Sequence, residues 1–328
     1  MPGAPPPKPK PGIIPLRPIS LGEIYDGAFQ ALRTNPRTMI GVSAVVIAIT
    51  TLITTLPQAA ALTGLGDSAL FSASRTEPVR PEDVVGPLAG LVTSLLVPAV
   101  IQALATTVVT GLLIVAVSGA VLGQRTPPGI LWQRTRGRMP ALIGLAALVF
   151  LVETALLVAL LLPGILLLAA GTAVGGALLL VFGGLAWFFV ALPALYLVKW
   201  SLAAPALLLE HQPVIGALRR SWTITRGSFW RVLGIQLLTV ILVGVLSGII
   251  NTPFAVIGGL IGASETTPYS NFAITLTQLV VQGLGTIVAG AIFYPFQAAV
   301  TALLYIDLRM RREGLDVELI RATEGATG

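Results

Sequence analysis

The chain has 328 residues, is 55% hydrophobic and only 10% charged, and has a mean hydropathy of +0.90. A soluble domain is nearer one quarter charged, so this composition excludes a water-covered globule and points to an integral membrane protein. The absence of cysteine excludes disulfides, thiolate nucleophiles and zinc–thiolate sites, and the net charge of +6 matters through its placement along the chain.

Residues 1–18, "MPGAPPPKPKPGIIPLRP", hold eight prolines and the cations Lys8, Lys10 and Arg17. Such a segment cannot build a core and favours extended polyproline II. It reads as a disordered cytoplasmic tail and as a docking segment for a protein partner. It is not a secretory signal, because the first apolar run begins only near Met39. That run is as long as a full span, so an uncleaved anchor is expected despite "AAA" at Ala59–Ala61.

Crossing a ~30 Å hydrocarbon layer takes about 20 apolar residues. Six runs qualify, near 39–62, 88–122, 140–169, 171–200, 230–261 and 272–306. The stretch 140–200 is too long for one span, and Gly171, Gly175 and Gly176 mark its expected turn. With the N-terminus inside, 18 of the 20 Lys and Arg residues fall on cytoplasmic segments, leaving only Arg75 and Arg80 outside. The segments near 63–87 and 262–271 become external and carry Asp67, Glu77, Glu82, Asp83 and Glu265. Positive-inside placement then predicts a multi-pass membrane protein with both termini cytoplasmic.

Three related stretches precede spans one, three and five: "LGEIYDGAFQALRTNPRTMIGV", "PPGILWQRTRGRMPALIGL" and "PVIGALRRSWTITRGSFWRVLGI". Each sets apolar residues at helical spacing, then arginine, then a span. Ser20 and Glu23 have capping-box spacing, and Asn35-Pro36 ends the first helix. In the third, Pro213 suits the start and Gly227 the stop. The even spans end alike, as "TGLLIVAV" at 110–117, "PALYLVKW" at 193–200 and "TALLYIDL" at 301–308. The expected fold is an all-α integral membrane protein. Its six transmembrane helices form three tandem hairpins, about 19–122, 126–200 and 211–313, each preceded by a cytoplasmic amphipathic interfacial helix. Residues 19–313 form the membrane domain and 314–328 a cytoplasmic tail.

The basic stretches read as inner-leaflet contacts with anionic headgroups. The residues are Arg33, Arg37, Arg134, Arg136, Arg138, Arg219, Arg220, Arg226 and Arg231, with Trp222 and Trp230 in the interface. Their position between spans argues against nucleic acid as a partner. Glu153, in "FLVETALLV", is the only ionisable residue deep in a span, about 20 Å along the helix from Pro140. There it is protonated or paired, and Gln102 and Gln282 reach comparable depth. It reads either as polar glue between helices or as a proton or substrate site. Prolines 57, 98, 163, 193, 253 and 295 sit in or at the ends of the spans, and Pro98, Pro193 and Pro295 are expected to kink the even ones. His211, the sole histidine, stands beside Glu210 and reads with it as surface decoration. In "YIDLRMRREGLD", Asp307–Arg311 and Arg309–Glu313 pair along a helix that runs to Gly314. No cofactor is expected, because no metal-ligand cluster, nucleophile motif or phosphate-cradling glycine loop appears.

"PLRPISLGEIYDGAFQALRTNPR", "AAPALLLEHQPVIGALRRSWTITRGSFWRVLGI" and "LLYIDLRMRREGLDVEL" together resemble the bacterial, mostly actinobacterial, membrane-domain family of glycerophosphoryl diester phosphodiesterase. The resemblance covers nearly the whole chain beyond the proline tail. It implies a six-span membrane module. In fused members of that family the hydrolase is a separate barrel with a histidine pair and metal-binding carboxylates. This chain has one histidine, so the resemblance lends it no catalytic residues. The expected function is a non-enzymatic module serving as accessory or scaffold at the inner leaflet. The alternative is a carrier of a lipid or small amphiphile through Glu153.

Overall fold

A computed structural model describes residues 13–15, 17–66, 81–121, 123–124, 126–264 and 271–314. Residues 1–12 of the proline tail, Arg125, residues 67–80 and 265–270 of the expected external segments, and the tail from 315 lie outside the described residues. Among those described, 89% are helical and none is in a strand. The helices are α1 (Leu21–Thr34), α2 (Pro36–Gly66), α3 (Pro81–Val121), α4 (Pro128–Thr135), α5 (Met139–Ala169) and α6 (Ala173–Ala186). They continue with α7 (Ala203–Leu209), α8 (Val214–Thr225), α9 (Phe229–Gly262) and α10 (Phe272–Glu313). Six helical segments among them are long and apolar enough to cross a membrane. Large apolar side chains such as Leu151, Leu166, Val174, Phe182, Phe189 and Val190 are exposed along them, as expected where the solvent is hydrocarbon.

The local signals explain the boundaries. Ser20 caps α1, its hydroxyl accepting from the Glu23 N–H while the Glu23 carboxylate accepts from the Ser20 N–H. Asn35 ends α1, and α2 opens on Pro36, whose missing N–H costs a first turn nothing. The long apolar stretch reverses at Gly171 (φ +80°), a conformation that disfavours any residue with a Cβ, whereas Gly175 and Gly176 lie inside α6. From Trp187 to Trp200 the chain continues as a π-helix containing Pro193. The wider turn fits a residue that cannot donate a backbone hydrogen bond. α10 ends at Glu313, with Gly314 following at φ +65°.

The chain divides into two compact units, neither of which coincides with one expected repeat. The first comprises Met1–Met39, Thr107–Ile241 and Pro295–Gly328. Its core is the C-terminal part of α10, where Ala298, Ala299, Val300, Ala302, Leu303, Leu304 and Tyr305 are fully buried. Buried Ile14, Ile19 and Ile24 come from the N-terminal segment and α1, Leu113 and Val117 from α3, and Leu202 and Leu207 from the α7 region. The second unit comprises Ile40–Thr106 and Leu242–Tyr294. There α10 lies close to α2 and α9. A Cβ at Gly290 would stand 2.6 Å from Ile47, and one at Gly262 would stand 2.7 Å from the Gln278 amide oxygen.

Close approach also sets the α5–α6 hairpin of the first unit. A Cβ on Gly183 would stand 2.5 Å from the Leu160 carbonyl oxygen, which is backbone and cannot swing away. Neighbouring Gly184 faces open space. Small residues permit this contact where no hydrophobic effect drives helices together. Gly183→Ala should therefore lower stability in detergent by about 1–3 kcal/mol, the overpacking range. Gly184→Ala should be neutral or slightly stabilising. Equal melting temperatures for the two variants would refute this account of the hairpin.

Candidate functional site

The polar residues of the first unit gather where α8, α9 and α10 meet the N-terminal segment. Asp307 is fully buried in α10. An ionised carboxylate there requires donors on every side. It accepts from the Ile19 N–H at 2.9 Å, from Arg231 Nη2 at 2.9 Å and from Arg311 Nε at 3.0 Å. The same two arginines donate to the Ile19 carbonyl, at 2.7 and 3.0 Å. Both backbone groups of Ile19 are thus closed by one acid and two arginines. This clamp seats Ile19 immediately before Ser20, the cap of α1. Tyr25 of α1 adds a hydroxyl contact to Thr239 at 3.1 Å and stacks tilted against Phe296.

A second cluster centres on Glu210, the residue that closes α7. Its carboxylate is only 15% exposed. It accepts two bonds from Arg220, Nε at 2.8 Å and Nη2 at 2.9 Å, and one from the Tyr305 hydroxyl. Arg309 stands at 3.4 Å, and Glu313 bridges Arg220 and Arg309. Burial alone would raise the Glu210 pKa, but the bonds from Arg220 and Tyr305 and the charges of Arg220 and Arg309 hold it below the usual carboxylate range. The same bonds, first that to Glu210, hold the Arg220 guanidinium above its ordinary value. Glu210 is therefore not surface decoration. His211 is exposed, adopts φ +58° at the turn after α7, and accepts a bond from Arg138 at 3.1 Å through its carbonyl.

The arginines read from the sequence divide into two groups. Arg220 and Arg231 are bound in the internal clusters. Arg33, Arg37, Arg134, Arg136, Arg219 and Arg226 are exposed, and Arg138 is half-buried. Trp222 is 47% and Trp230 79% exposed, and α4 adds exposed Trp132, which the sequence reading passed over. The i,i+4 pairs Asp307–Arg311 and Arg309–Glu313 are present as expected. The Arg231–Asp307 and Arg220–Glu210 pairs were missed, being 76 and 10 residues apart. The available signal was an acid set in or beside an apolar run, as in "LLYIDL" and "LLLEHQ".

Glu153 is buried in α5 of the first unit at 7% exposure. The Trp187 indole N–H stands beside it, yet neither carboxyl oxygen nor that N–H completes a hydrogen bond. Gln102 and Gln282 belong to the second unit. There Gln102 donates to the Tyr294 hydroxyl at 2.8 Å, and the Gln282 side chain lies 3.2 Å from where a Gly258 Cβ would stand. Among the described residues no three His, Asp or Glu side chains gather to hold a metal.

A family model described as "Domain of unknown function (DUF7847)" matches residues 27–308, and the chain belongs to that family. No curated protein and no solved structure matches it.

The Glu210 cluster predicts an acid-sensitive fold. Because the folded Glu210 pKa is depressed, its contribution is fully present above the unfolded value, about 4.3, and is lost as pH falls through the lower folded value. Glu210→Gln should cost about 1.5–3 kcal/mol at neutral pH and should flatten the acid limb of stability against pH. Asp307→Asn, at a fully buried site, should cost about 3 kcal/mol or more. Thermal unfolding in detergent from pH 7 to pH 3 checks both. An unchanged acid limb in Glu210→Gln would contradict the assignment.

Proposed function

We propose that the chain is a non-enzymatic membrane module serving as an accessory or scaffold at the inner leaflet of the bacterial cytoplasmic membrane. Both termini are cytoplasmic, and the six spans are arranged as three hairpins behind amphipathic interfacial helices. The carrying observation is an electrostatic division within the first unit. Glu23, Glu210, Asp307 and Glu313 are consumed by internal partners. The exposed arginines of α1, α2, α4 and α8 keep their charge for an external counter-ion, with Trp132, Trp222 and Trp230 exposed among them. Arginines with interfacial tryptophans suit anionic headgroups, at about 1 kcal/mol per cation near the surface. The proline-rich tail supplies a docking segment for a protein partner. The resemblance to the glycerophosphoryl diester phosphodiesterase membrane domain supports a module without the catalytic barrel.

Reconstitution with acyl-brominated lipids tests this reading through tryptophan quenching. At equal mole fraction, brominated phosphatidylglycerol should quench more than brominated phosphatidylcholine. The quadruple variant Arg33→Gln, Arg37→Gln, Arg134→Gln, Arg136→Gln should lose most of that preference. Equal quenching by both lipids in the wild type would overturn the leaflet role. For the orientation, a cysteine at Ser264 should react with an impermeant thiol reagent on intact cells and one at Ser228 should not; the reverse pattern would invert the topology.

A second reading, a carrier of a lipid or small amphiphile, is supported by the unpartnered carboxyl of Glu153 and indole of Trp187. A buried polar group without a partner costs about 1–3 kcal/mol and marks a site to be filled. Under the scaffold reading, Glu153→Gln leaves stability and any lipid flux unchanged, and Glu153→Leu shifts stability by about 1 kcal/mol. A Glu153→Gln protein that folds normally but loses pH-dependent uptake in vesicles would decide for the carrier.

A further inference from the structure

The end of α8 carries a group of cations that the internal clusters leave out. α8 closes in a type II turn: Arg226 has φ −64° and ψ 124°, Gly227 has φ +80°, and the Ser228 N–H donates to the Thr225 carbonyl at 3.1 Å. Glycine at that second position is what the turn demands. Around the turn stand three basic side chains. Lys199, near the end of the π-helix, lies with Nζ 4.6 Å over the Trp222 ring centroid. The Ser221 hydroxyl, one residue from Trp222, donates to the Lys199 carbonyl at 2.6 Å and fixes the two segments together. Arg226 is the exposed turn residue next to Gly227. Arg312 donates Nη1 to the Thr223 carbonyl at 3.1 Å, and its Nη2 lies 3.0 Å from where a Gly227 Cβ would stand.

Among the described residues, no carboxylate pairs with Lys199, Arg226 or Arg312. The nearby acids, Glu210 and Glu313, are bound to Arg220 and Arg309. Like charges gathered without a counter-ion repel, and an oxyanion that accepts from all three relieves the repulsion. The donors suit a tetrahedral phosphate. Trp222, 47% exposed beside the lysine, offers an apolar plate of the kind that sits at the headgroup level. Lys199 lies in the last third of Val174–Leu209, an apolar segment long enough to cross a membrane.

We propose that Lys199, Arg226 and Arg312, with Trp222, form a specific site for the phosphate of one anionic phospholipid headgroup. The site deepens the leaflet reading above and rests on it: most exposed arginines meet lipid as a diffuse surface, whereas these hold one molecule.

Native mass spectrometry of the full-length protein in detergent tests the site, with dioleoyl phosphatidylglycerol, dioleoyl phosphatidylcholine and inorganic phosphate as probes. The expected result is one retained phosphatidylglycerol at concentrations where phosphatidylcholine is not retained. Lys199→Gln with Arg226→Gln should weaken retention about tenfold or more, since each cation near a headgroup contributes appreciably. The exposed single substitution Arg312→Gln should weaken it several-fold, and so provides a test independent of the double variant's folding. Arg134→Gln with Arg136→Gln should leave it unchanged. Unaltered retention in a folded Lys199/Arg226 variant or in Arg312→Gln, or equal retention of phosphatidylcholine, would overturn the site. Displacement of the lipid by millimolar inorganic phosphate would overturn the lipid assignment in favour of a free-phosphate site. The quenching experiment separates the two levels. A wild type with anionic preference but no variant-sensitive retained lipid loses only this site, whereas a wild type without anionic preference loses the leaflet reading.

Discussion

A charge without water decides the first unit. Asp307 is fully buried, in a stretch of helix whose buried neighbours are mostly apolar. Such a carboxylate is tolerated only if each lone pair finds a donor. The Ile19 N–H, Arg231 and Arg311 supply them. The requirement reaches outward from there. It fixes the N-terminal segment by its backbone, sets the start of α1, and ties the first turn of α9 to the last turns of α10. α10 is thus both the apolar core of the unit and the support of its charge.

The acids and bases are used differently. Among the described residues of the first unit, Glu23, Glu210, Asp307 and Glu313 are spent internally, on Arg17, Arg220, Arg231, Arg309 and Arg311. Arg33, Arg37, Arg134, Arg136, Arg219 and Arg226 are exposed. Internal pairs in a partly dry setting stabilise chiefly by avoiding an unpaired buried ion. External arginines are nearly free of that constraint and respond to whatever anionic surface is present. One composition, +6 overall, therefore yields arginines bound to internal acids and arginines left exposed.

Packing between the long helices follows a different rule from packing in water. Leucine gains little by leaving lipid, so contact depends on close backbone approach. Gly183 against the Leu160 carbonyl in the first unit is such a contact, and in the second Gly290 leaves room for the tip of the Ile47 side chain. Large apolar residues consequently remain on the outside. Glu153 is the exception among these apolar surfaces: it is buried, the half-buried Trp187 stands beside it, and neither completes a hydrogen bond.

Class and boundaries were legible in the sequence because they rest on local chemistry. Six apolar runs, the Ser20–Glu23 box, Asn35-Pro36, Gly171, Gly227 and Gly314 act over a few residues, and each appears where its chemistry puts it. The i,i+4 pairs of α10 were legible for the same reason. The partners of Glu210 and Arg231 were not, because a salt bridge between elements depends on how helices come together, and a linear pattern carries no such distance. That is why Glu210 read as surface, and why Arg220 and Arg231 read as headgroup ligands beside Arg219 and Arg226. Sequence alone determined which arginines lie near the ends of the spans. Only the tertiary structure decided which were already neutralised, because buried acids claim the nearest donors in space before any lipid can.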